Sequence, residues 1–280
     1  VRRTRDQLNA FVDANSEAYR LATGRVARYP KILTPTYALP HSEADARIAA
    51  QILALANALT GIGRIGKKLE ITENQRESGV TEESFVRAVT TAAAALARHD
   101  VLDALRSSRL AVLELVHGTV AAWDDMVPGL PRPKKSSSGA VLEKLRAGAG
   151  KPPTWKLPEE LKAAAPTWLI DAQAHAATTQ DEVARYEEIA RLARQLSDAR
   201  EQAKCELLRR HFEAGEKVIA YDSHLITLHL FDHRLEQLGV ERFVITGADG
   251  QDGKRRAEQS LGLAADDAPV VALCSDALSE

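Results

Sequence analysis

The sequence predicts a mixed fold, in which an α-helical region is followed by a small α/β unit with a parallel sheet. Apolar residues recur at helical spacing through most of the chain before the last third. Three short β-branched runs then appear, namely KVIAY (217–221), RFVIT (242–246) and APVVALC (268–274). Helical patterns separate these runs, and strands that alternate with helices in this way indicate crossovers and a parallel sheet. Three strands are few for an open sheet, so we expect the sheet to continue beyond the chain.

The first part of the chain contains three apolar stripes that predict helices. The first helix is expected to end at Gly61, the second to begin after Thr81 and the third to end at Gly118. Their inward residues are, in the same order, Ile48, Ile52, Leu55 and Leu59; Phe85, Val89, Ala92 and Leu96; and Leu102, Leu105, Val112, Leu113 and Val116. In the last part, 224–238 and 253–262 are the expected crossover helices.

We expect four segments, which are a helical region over 1–130, a flexible linker over 131–165, connecting helices over 166–200 and the α/β unit over 201–280. The linker is predicted because PGLPRPKKSSSGA (128–140) and AGAGKPP (147–153) are dense in Pro, Gly, Ser and Lys. After Pro166 an apolar stripe resumes, which predicts one long helix that continues to about Phe212.

Composition and charge indicate a globular protein of a reducing compartment. Hydrophobic residues make up 45% and charged residues 27%, and 37 basic against 39 acidic side chains leave a net charge of −2. This composition excludes a disordered chain and a uniformly basic body. No window reaches the ~18 apolar residues of a membrane helix, and VRRTRDQL (1–8) lacks the apolar core of a signal peptide. With Cys205 and Cys274 as the only cysteines, the sequence predicts a cytoplasmic protein without a membrane segment or a disulfide scaffold.

Two motifs resemble parts of a nucleotide site. GIGRIGKK (61–68) has the spacing of a phosphate-binding loop, but such a loop follows a strand and has Ser or Thr where Lys68 stands. We interpret it as a helix-terminating glycine with a basic loop. DEVA (181–184) resembles the acidic ATPase box, but we interpret it as the start of a helix, where acids are favourable.

The densest histidine group predicts no metal site. His229 and His233 lie four residues apart on one helix face, after His224. A zinc-protease helix needs Glu next to the first histidine, whereas HLFDH (229–233) has no Glu. An exposed or interface helix face accounts for the group, and no nucleophilic triad has a local signature.

Basic clusters recur in a chain that is close to neutral. The clusters are Arg2, Arg3 and Arg5; Arg64, Lys67 and Lys68; Arg132, Lys134 and Lys135; and Lys254, Arg255 and Arg256. Each alone is typical of a solvated surface, but four together predict positive patches that could meet phosphates.

The order of elements over 200–280 resembles the second RecA-like lobe of superfamily-two helicases, and the sequence there is similar to the Swi/Snf-type ATPases. KVIAYDS (217–223) resembles the fourth helicase motif and CSDALSE (274–280) the fifth. Gly247 corresponds to the glycine before the variable loop and Arg256 to the arginine of the next helix. VRRTR (1–5) looks like the segment that leaves the first lobe, so the resemblance covers nearly the whole chain.

The resemblance implies an ATP-dependent double-stranded DNA translocase or helicase motor. The helical residues would be the insertion between the lobes, and 201–280 a partial second RecA-like lobe. The first lobe, the rest of the second lobe, and the ATP and Mg²⁺ of the parent would lie outside both ends. Such a parent hydrolyses ATP and works in the cytoplasm, associated with the nucleoid.

The same resemblance assigns roles to residues that follow the predicted strands. Ser223, Gly247 and Ser275 fall at carboxyl ends of strands, where an open α/β sheet binds its ligand. The expected nucleic-acid-binding residues are Ser223, His224, Gly247, Lys254, Arg255 and Arg256. The expected residues that couple DNA to ATP are Ser275 and Asp276. No catalytic set is complete in this chain, and no metal ligand is expected. The alternative is a non-catalytic helical interaction module fused to a small Rossmann-like domain that binds a ligand.

Overall fold

Two units make up the chain. The helical unit comprises 41–202 and Ser223–Leu230, and the α/β unit comprises Val1–Pro40, Ala203–Asp222 and Phe231–Glu280. Within them, the computed structural model describes residues 4–20, 24, 26, 28, 37–39, 42–65, 69–133, 140–148, 157–261 and 268–275. The split after residue 202 lies close to the expected start of the α/β unit, whereas 1–40 belongs to the α/β unit and not to the helical one.

The described residues are mainly helical. In chain order the helices and strands are α1 (Arg5–Ala14), α2 (Glu43–Asn57), α3 (Glu73–Glu77), α4 (Glu82–Ser107), α5 (Arg109–His117), α6 (Thr119–Met126), α7 (Val141–Gly148), α8 (Glu159–Lys162), α9 (Thr167–Ile170), α10 (Ala172–Gln195), α11 (Ala199–Glu213), β1 (Lys217–Asp222), α12 (Leu225–Gln237), β2 (Arg242–Ile245), α13 (Gly250–Leu261) and β3 (Val270–Ser275). Short 3-10 turns cover Ser16–Tyr19, Ile62–Arg64 and Gly247–Asp249.

Helix α10 lies at the centre of the helical unit. It packs against α2, α5, α7 and α9, and α4 packs against α2, α5 and α8. Large apolar side chains that are buried in this unit include Ile52, Val101, Leu110, Leu113, Val116, Trp123, Leu142, Leu161 and Ile189. Burying apolar side chains of this size supplies the main favourable term for the unit.

The face that α4 buries agrees with the sequence prediction at Phe85 and Val89, which pack against the core, but differs from it over the alanine run. Ala92 is exposed and Leu96 is 54% exposed, whereas Val86, Ala93 and Ala97 are buried. In the alanine run, every face of the helix carries small residues of similar hydrophobicity. The position of the larger Leu96 therefore does not determine which face is buried. The expected third helix is divided: Leu102 and Leu105 belong to the end of α4, whereas Val112, Leu113 and Val116 belong to α5, which ends before Gly118 as expected.

The long helix expected to reach Phe212 is interrupted. Helix α10 ends at Gln195 and α11 begins at Ala199. In the gap, Ser197 donates its backbone N–H (2.9 Å) and its hydroxyl (2.6 Å) to the buried carboxylate of Asp45. These bonds favour the ionised form and hold the pKa of Asp45 below its usual value.

The range expected to be a flexible linker contains packed helices. Leu142 and Leu145 of α7 are buried, and so is Leu161 of α8. Leu161 belongs to a cluster with Leu69 and Val86. These described parts of 131–165 therefore belong to the helical unit and are not a linker.

The α/β unit contains the expected parallel sheet. The strand order is β1-β3-β2, and β3 pairs in parallel with both neighbours. Every residue of the central strand β3 is buried, while Ile219 and Tyr221 on the edge strand β1 are 48% and 55% exposed. A fully buried central strand requires the continuous apolar run that the sequence has there.

Helix α13 packs closely on the sheet. A Cβ atom added at the buried Gly253 would lie 2.9 Å from Ile245 Cγ2 and 2.9 Å from Asp249 Cβ. Glycine at this position therefore permits the close approach of α13 to the end of β2.

Among the described residues, none of the helices is both long and apolar enough to span a bilayer.

Candidate nucleic-acid interface

The carboxyl ends of the three strands meet at one edge of the sheet. Asp222 pairs with Ser275 across β1 and β3, and Ile245 pairs with Cys274 across β2 and β3. In an open parallel sheet, this edge is where ligands bind, because loops and helix starts converge there. The sequence-predicted residues that follow β2 and end β3 therefore lie next to each other.

Gly247 and Ser275 are in direct contact at this edge. The backbone N–H of Gly247 donates to Ser275 Oγ at 3.2 Å, and Ser275 is 6% exposed. A hydroxyl that accepts one hydrogen bond can donate another, so Ser275 is able to act as a bridge. The turn after β2 is thereby tied to the end of the central strand.

The turn itself is held by an acidic side chain. Thr246 donates its backbone N–H (2.6 Å) and its hydroxyl (2.7 Å) to Asp249 Oδ2. The pattern is a capping box, which satisfies donors at the start of the 3-10 turn. Asp249 was not among the sequence-predicted site residues, although a Thr followed three residues later by an acid is a recognisable capping signal.

Helix α13 carries the basic side chains of the site. Lys254, Arg255 and Arg256 are all exposed, and Arg255 Nη2 lies 2.9 Å from Asp252 Oδ1. Both members of that ion pair are largely exposed, so the pair contributes little and leaves the arginine available to another anion. The three cations give α13, the helix that follows the turn after β2, an exposed positive charge.

Ser223 and His224 lie in the helical unit, in contact with Asp103 of α4. Ser223 Oγ donates to Asp103 Oδ2 at 3.0 Å, and His224 Nε2 lies 3.2 Å from the same oxygen. The structure thus brings Gly247 and Ser275 into contact. It places Ser223 and His224 in contact with the carboxylate of Asp103, which was not among the residues predicted from the sequence. Asp276 lies outside the described residues.

Sequence reasoning missed Asp103 for a physical reason. It lies 120 positions before Ser223 and on a helix whose local pattern explains only its periodicity. No short sequence motif connects an acidic residue on a helix with the end of a strand that lies so many residues later in the chain.

In the described part of the chain, the histidine and cysteine side chains form no metal site and no reactive thiol site. No group of three or more His, Cys, Asp or Glu side chains is placed there to hold a metal ion. His233 Nδ1 lies 3.9 Å from Glu236 Oε2 on the same helix. Burial raises the pKa of the Cys274 thiol on β3, which disfavours the reactive thiolate.

The two nucleotide-site look-alikes contact each other in the helical unit. Gly61 has a left-handed φ of 70° and follows α2 and not a strand; Gly66 to Lys68 lie outside the described residues. Glu182 lies in the middle of α10, so the expectation that DEVA opens a helix is wrong. Its carboxylate accepts from the backbone N–H groups of Thr60 (3.0 Å) and Gly61 (3.1 Å) and from the Thr60 hydroxyl.

This arrangement is structural. Glu182 is 1% exposed and already occupies the N–H groups that a phosphate would need. Burial and the charge of Glu182 also raise the pKa of Tyr186. Two features remain for a functional interpretation: the carboxyl edge of the sheet with α13 in the α/β unit, and Ser223 with His224 in the helical unit.

Comparisons with protein families, with curated proteins and with solved structures found no match. The described residues show the class of fold, which is mainly helical with a small parallel sheet of three strands.

Proposed function

We propose that the chain is part of an ATP-driven double-stranded DNA translocase, formed by a helical insertion and the beginning of a second RecA-like lobe. The observation that carries this proposal is the contact between Gly247 and Ser275 at the carboxyl edge of a parallel sheet, followed at once by a basic helix. Ser223, His224, Gly247, Lys254, Arg255 and Arg256 would contact DNA. The ATP and Mg²⁺ of the parent would be bound by parts of the motor outside this chain.

Phosphate binding accounts for the residue types at this edge. Hydroxyls and cations contact phosphate oxygens without reading sequence. Gly247, whose N–H is donated to Ser275 Oγ, would position the turn beside the phosphate. Lys254, Arg255 and Arg256 are exposed on one helix, and exposed cations suit the phosphates of a nucleic-acid backbone better than a ligand enclosed in a cavity. A double-stranded backbone presents such phosphates to a rigid helix and turn.

Ser275 and Asp276 would couple the DNA side to the ATP side. Ser275 is bonded to the Gly247 amide and ends the central strand, so a shift of the turn after β2 would be transmitted to β3. In motors of this kind, alternation between closed and open lobes moves the protein along DNA. Asp276, next in the chain, would accept a hydrogen bond from a basic or hydroxyl partner.

The proposal is tested by changing Lys254, Arg255 and Arg256 together to alanine. We expect duplex DNA affinity to fall about ten-fold or more and the slope of log affinity against log salt to decrease in magnitude by about two to three, because each phosphate contact contributes about 0.9. Fluorescence anisotropy of a labelled duplex between about 50 and about 200 mM salt measures both quantities.

The matched control changes three other exposed arginines, Arg47, Arg87 and Arg98, which alters the net charge by the same amount. We expect this control to bind like the wild type. If both triple variants lost the same affinity for duplex DNA, the loss would be explained by net charge and not by the basic residues of α13. A wild-type chain that binds no duplex would contradict the proposal.

The chain alone is expected to turn over no ATP, with or without DNA. The phosphate-loop look-alike at 61–65 follows a helix, and its first N–H is bonded to Glu182. In the proposed motor, the parts that hold the β- and γ-phosphates with their magnesium lie outside this chain. A phosphate-release assay checks this expectation, and DNA-stimulated turnover by the purified chain would show that a complete nucleotide site is present.

A further inference from the structure

We propose that Asp103 is an internal competitor of DNA, a carboxylate that occupies the groups of Ser223 and His224 until a phosphate displaces it. The inference rests on the proposed function, because it assigns a regulatory contact to the same DNA-binding residues. Its geometric basis is the shared oxygen Asp103 Oδ2, which lies 3.0 Å from Ser223 Oγ and 3.2 Å from His224 Nε2.

A carboxylate oxygen and a phosphate oxygen accept hydrogen bonds from the same donors. The Ser223 hydroxyl has one proton and cannot donate it to Asp103 and to DNA at once. A phosphate at Ser223 would also lie close to the Asp103 charge, which repels it. The contact in the structure is therefore incompatible with DNA bound through Ser223.

Buried contacts place Asp103 where it can compete. The Thr227 hydroxyl lies 2.7 Å from Ser107 Oγ and 2.7 Å from Ser108 Oγ, at the junction of α4 and α5. Thr227 is 0% and Ser108 2% exposed, so these hydroxyls fix the first turn of α12 against that junction. Asp103, one turn before Ser107 on α4, is thereby held beside the residues that precede α12.

The contact of Asp103 with Ser223 and His224 is weak enough to be broken when DNA binds. The side chain of Asp103 is 40% exposed and that of His224 21% exposed, in contrast to the buried hydroxyls beside them. A partly exposed contact of this kind is weak, so a phosphate can replace it without opening the core. The consequence is that a duplex must displace Asp103 before it can bind through Ser223.

The test measures duplex affinity for Asp103→Ala, Ser223→Ala and the variant with both changes. We expect Asp103→Ala to bind about five-fold more tightly than the wild type, as expected for removing one partly exposed polar contact. In the Ser223→Ala background the same change should have less than half of that effect. Circular dichroism confirms that each variant is folded.

The control is Glu83→Ala, which removes the same charge from an exposed position in the first turn of α4. A general relief of repulsion would tighten binding equally in Glu83→Ala and would persist in the Ser223→Ala background. Either result would overturn the role of Asp103.

Failure of the inference and failure of the proposed function have different signatures. If Asp103→Ala leaves affinity unchanged while the triple variant of Lys254, Arg255 and Arg256 loses it, Asp103 is no competitor but the DNA surface stands. If no variant and no wild-type chain binds duplex at about 50 mM salt, the proposed function is wrong and the competitor role falls with it.

Discussion

Gly61→Ala is expected to destabilise the helical unit by about 4 kcal/mol, the largest loss of stability that we predict for a single substitution. Gly61 has φ 70°, a left-handed conformation that costs a residue with a Cβ atom about 1–2 kcal/mol. An added methyl group would also overlap the backbone carbonyl of Ala93 in α4. Backbone cannot rotate away as a side chain can, so α4 would have to move relative to the turn after α2.

Gly79→Ala separates the two causes. Gly79 has φ 81°, but nothing lies within 4 Å of the position of its added Cβ. We expect it to cost only the conformational part, about 1–2 kcal/mol. Urea unfolding followed by tryptophan fluorescence measures both, because all three tryptophans lie within 41–202 of the helical unit. If Gly61→Ala and Gly79→Ala lost the same free energy of unfolding, α4 would be able to move away from the added methyl group without an energetic penalty. That result would contradict the close packing of Gly61 against Ala93.

The sheet could be predicted from sequence because each strand carries its own signal. The runs at 217–221, 242–246 and 268–274 coincide with β1, β2 and β3 to within two residues at each end. The structure adds that β3 is the central strand, and its burial on both faces accounts for its continuous apolar run. Parallel pairing followed from the helices between the strands.

The face of α4 could not be predicted from the same kind of signal. In the run TTAAAALA (90–97) every small residue is compatible with either face, and Leu96 suggested the wrong one. The buried residues Ala93 and Ala97 are selected by close approach of neighbouring backbone, which is a tertiary requirement. Helical periodicity gives a face only where large apolar and polar residues alternate.

The candidate site was predictable in part. Gly247 and Ser275 were expected together because they end neighbouring parallel strands, and the structure places them in contact. Asp103 was not expected, because a partner 120 residues away leaves no trace in the local pattern of either segment. Long-range polar contacts depend on how helices pack, and that packing is decided after the local elements are formed.

Glu182→Ala is expected to cost about 3 kcal/mol of helical-unit stability. The carboxylate is 1% exposed and accepts from the Thr60 and Gly61 amides, 122 and 121 positions earlier in the chain. Alanine would leave those N–H groups without their acceptor in a buried place, and each hydrogen bond to a charged group contributes about 1.5–3 kcal/mol. The same turn contains Gly61 with its left-handed φ of 70°, and Glu182 holds this turn through the two amides.

Two variants define the origin of that loss. Glu182→Gln keeps an amide oxygen that can accept both N–H groups, and we expect it to lose about 1 kcal/mol. Asp181→Ala changes the exposed neighbouring acid and should stay within about 0.5 kcal/mol of the wild type. Urea unfolding gives the stabilities, and faster hydrogen exchange at the Gly61 amide in Glu182→Ala would locate the effect. If Glu182→Ala were no less stable than Asp181→Ala, the buried carboxylate would not be what holds the turn after α2 against α10.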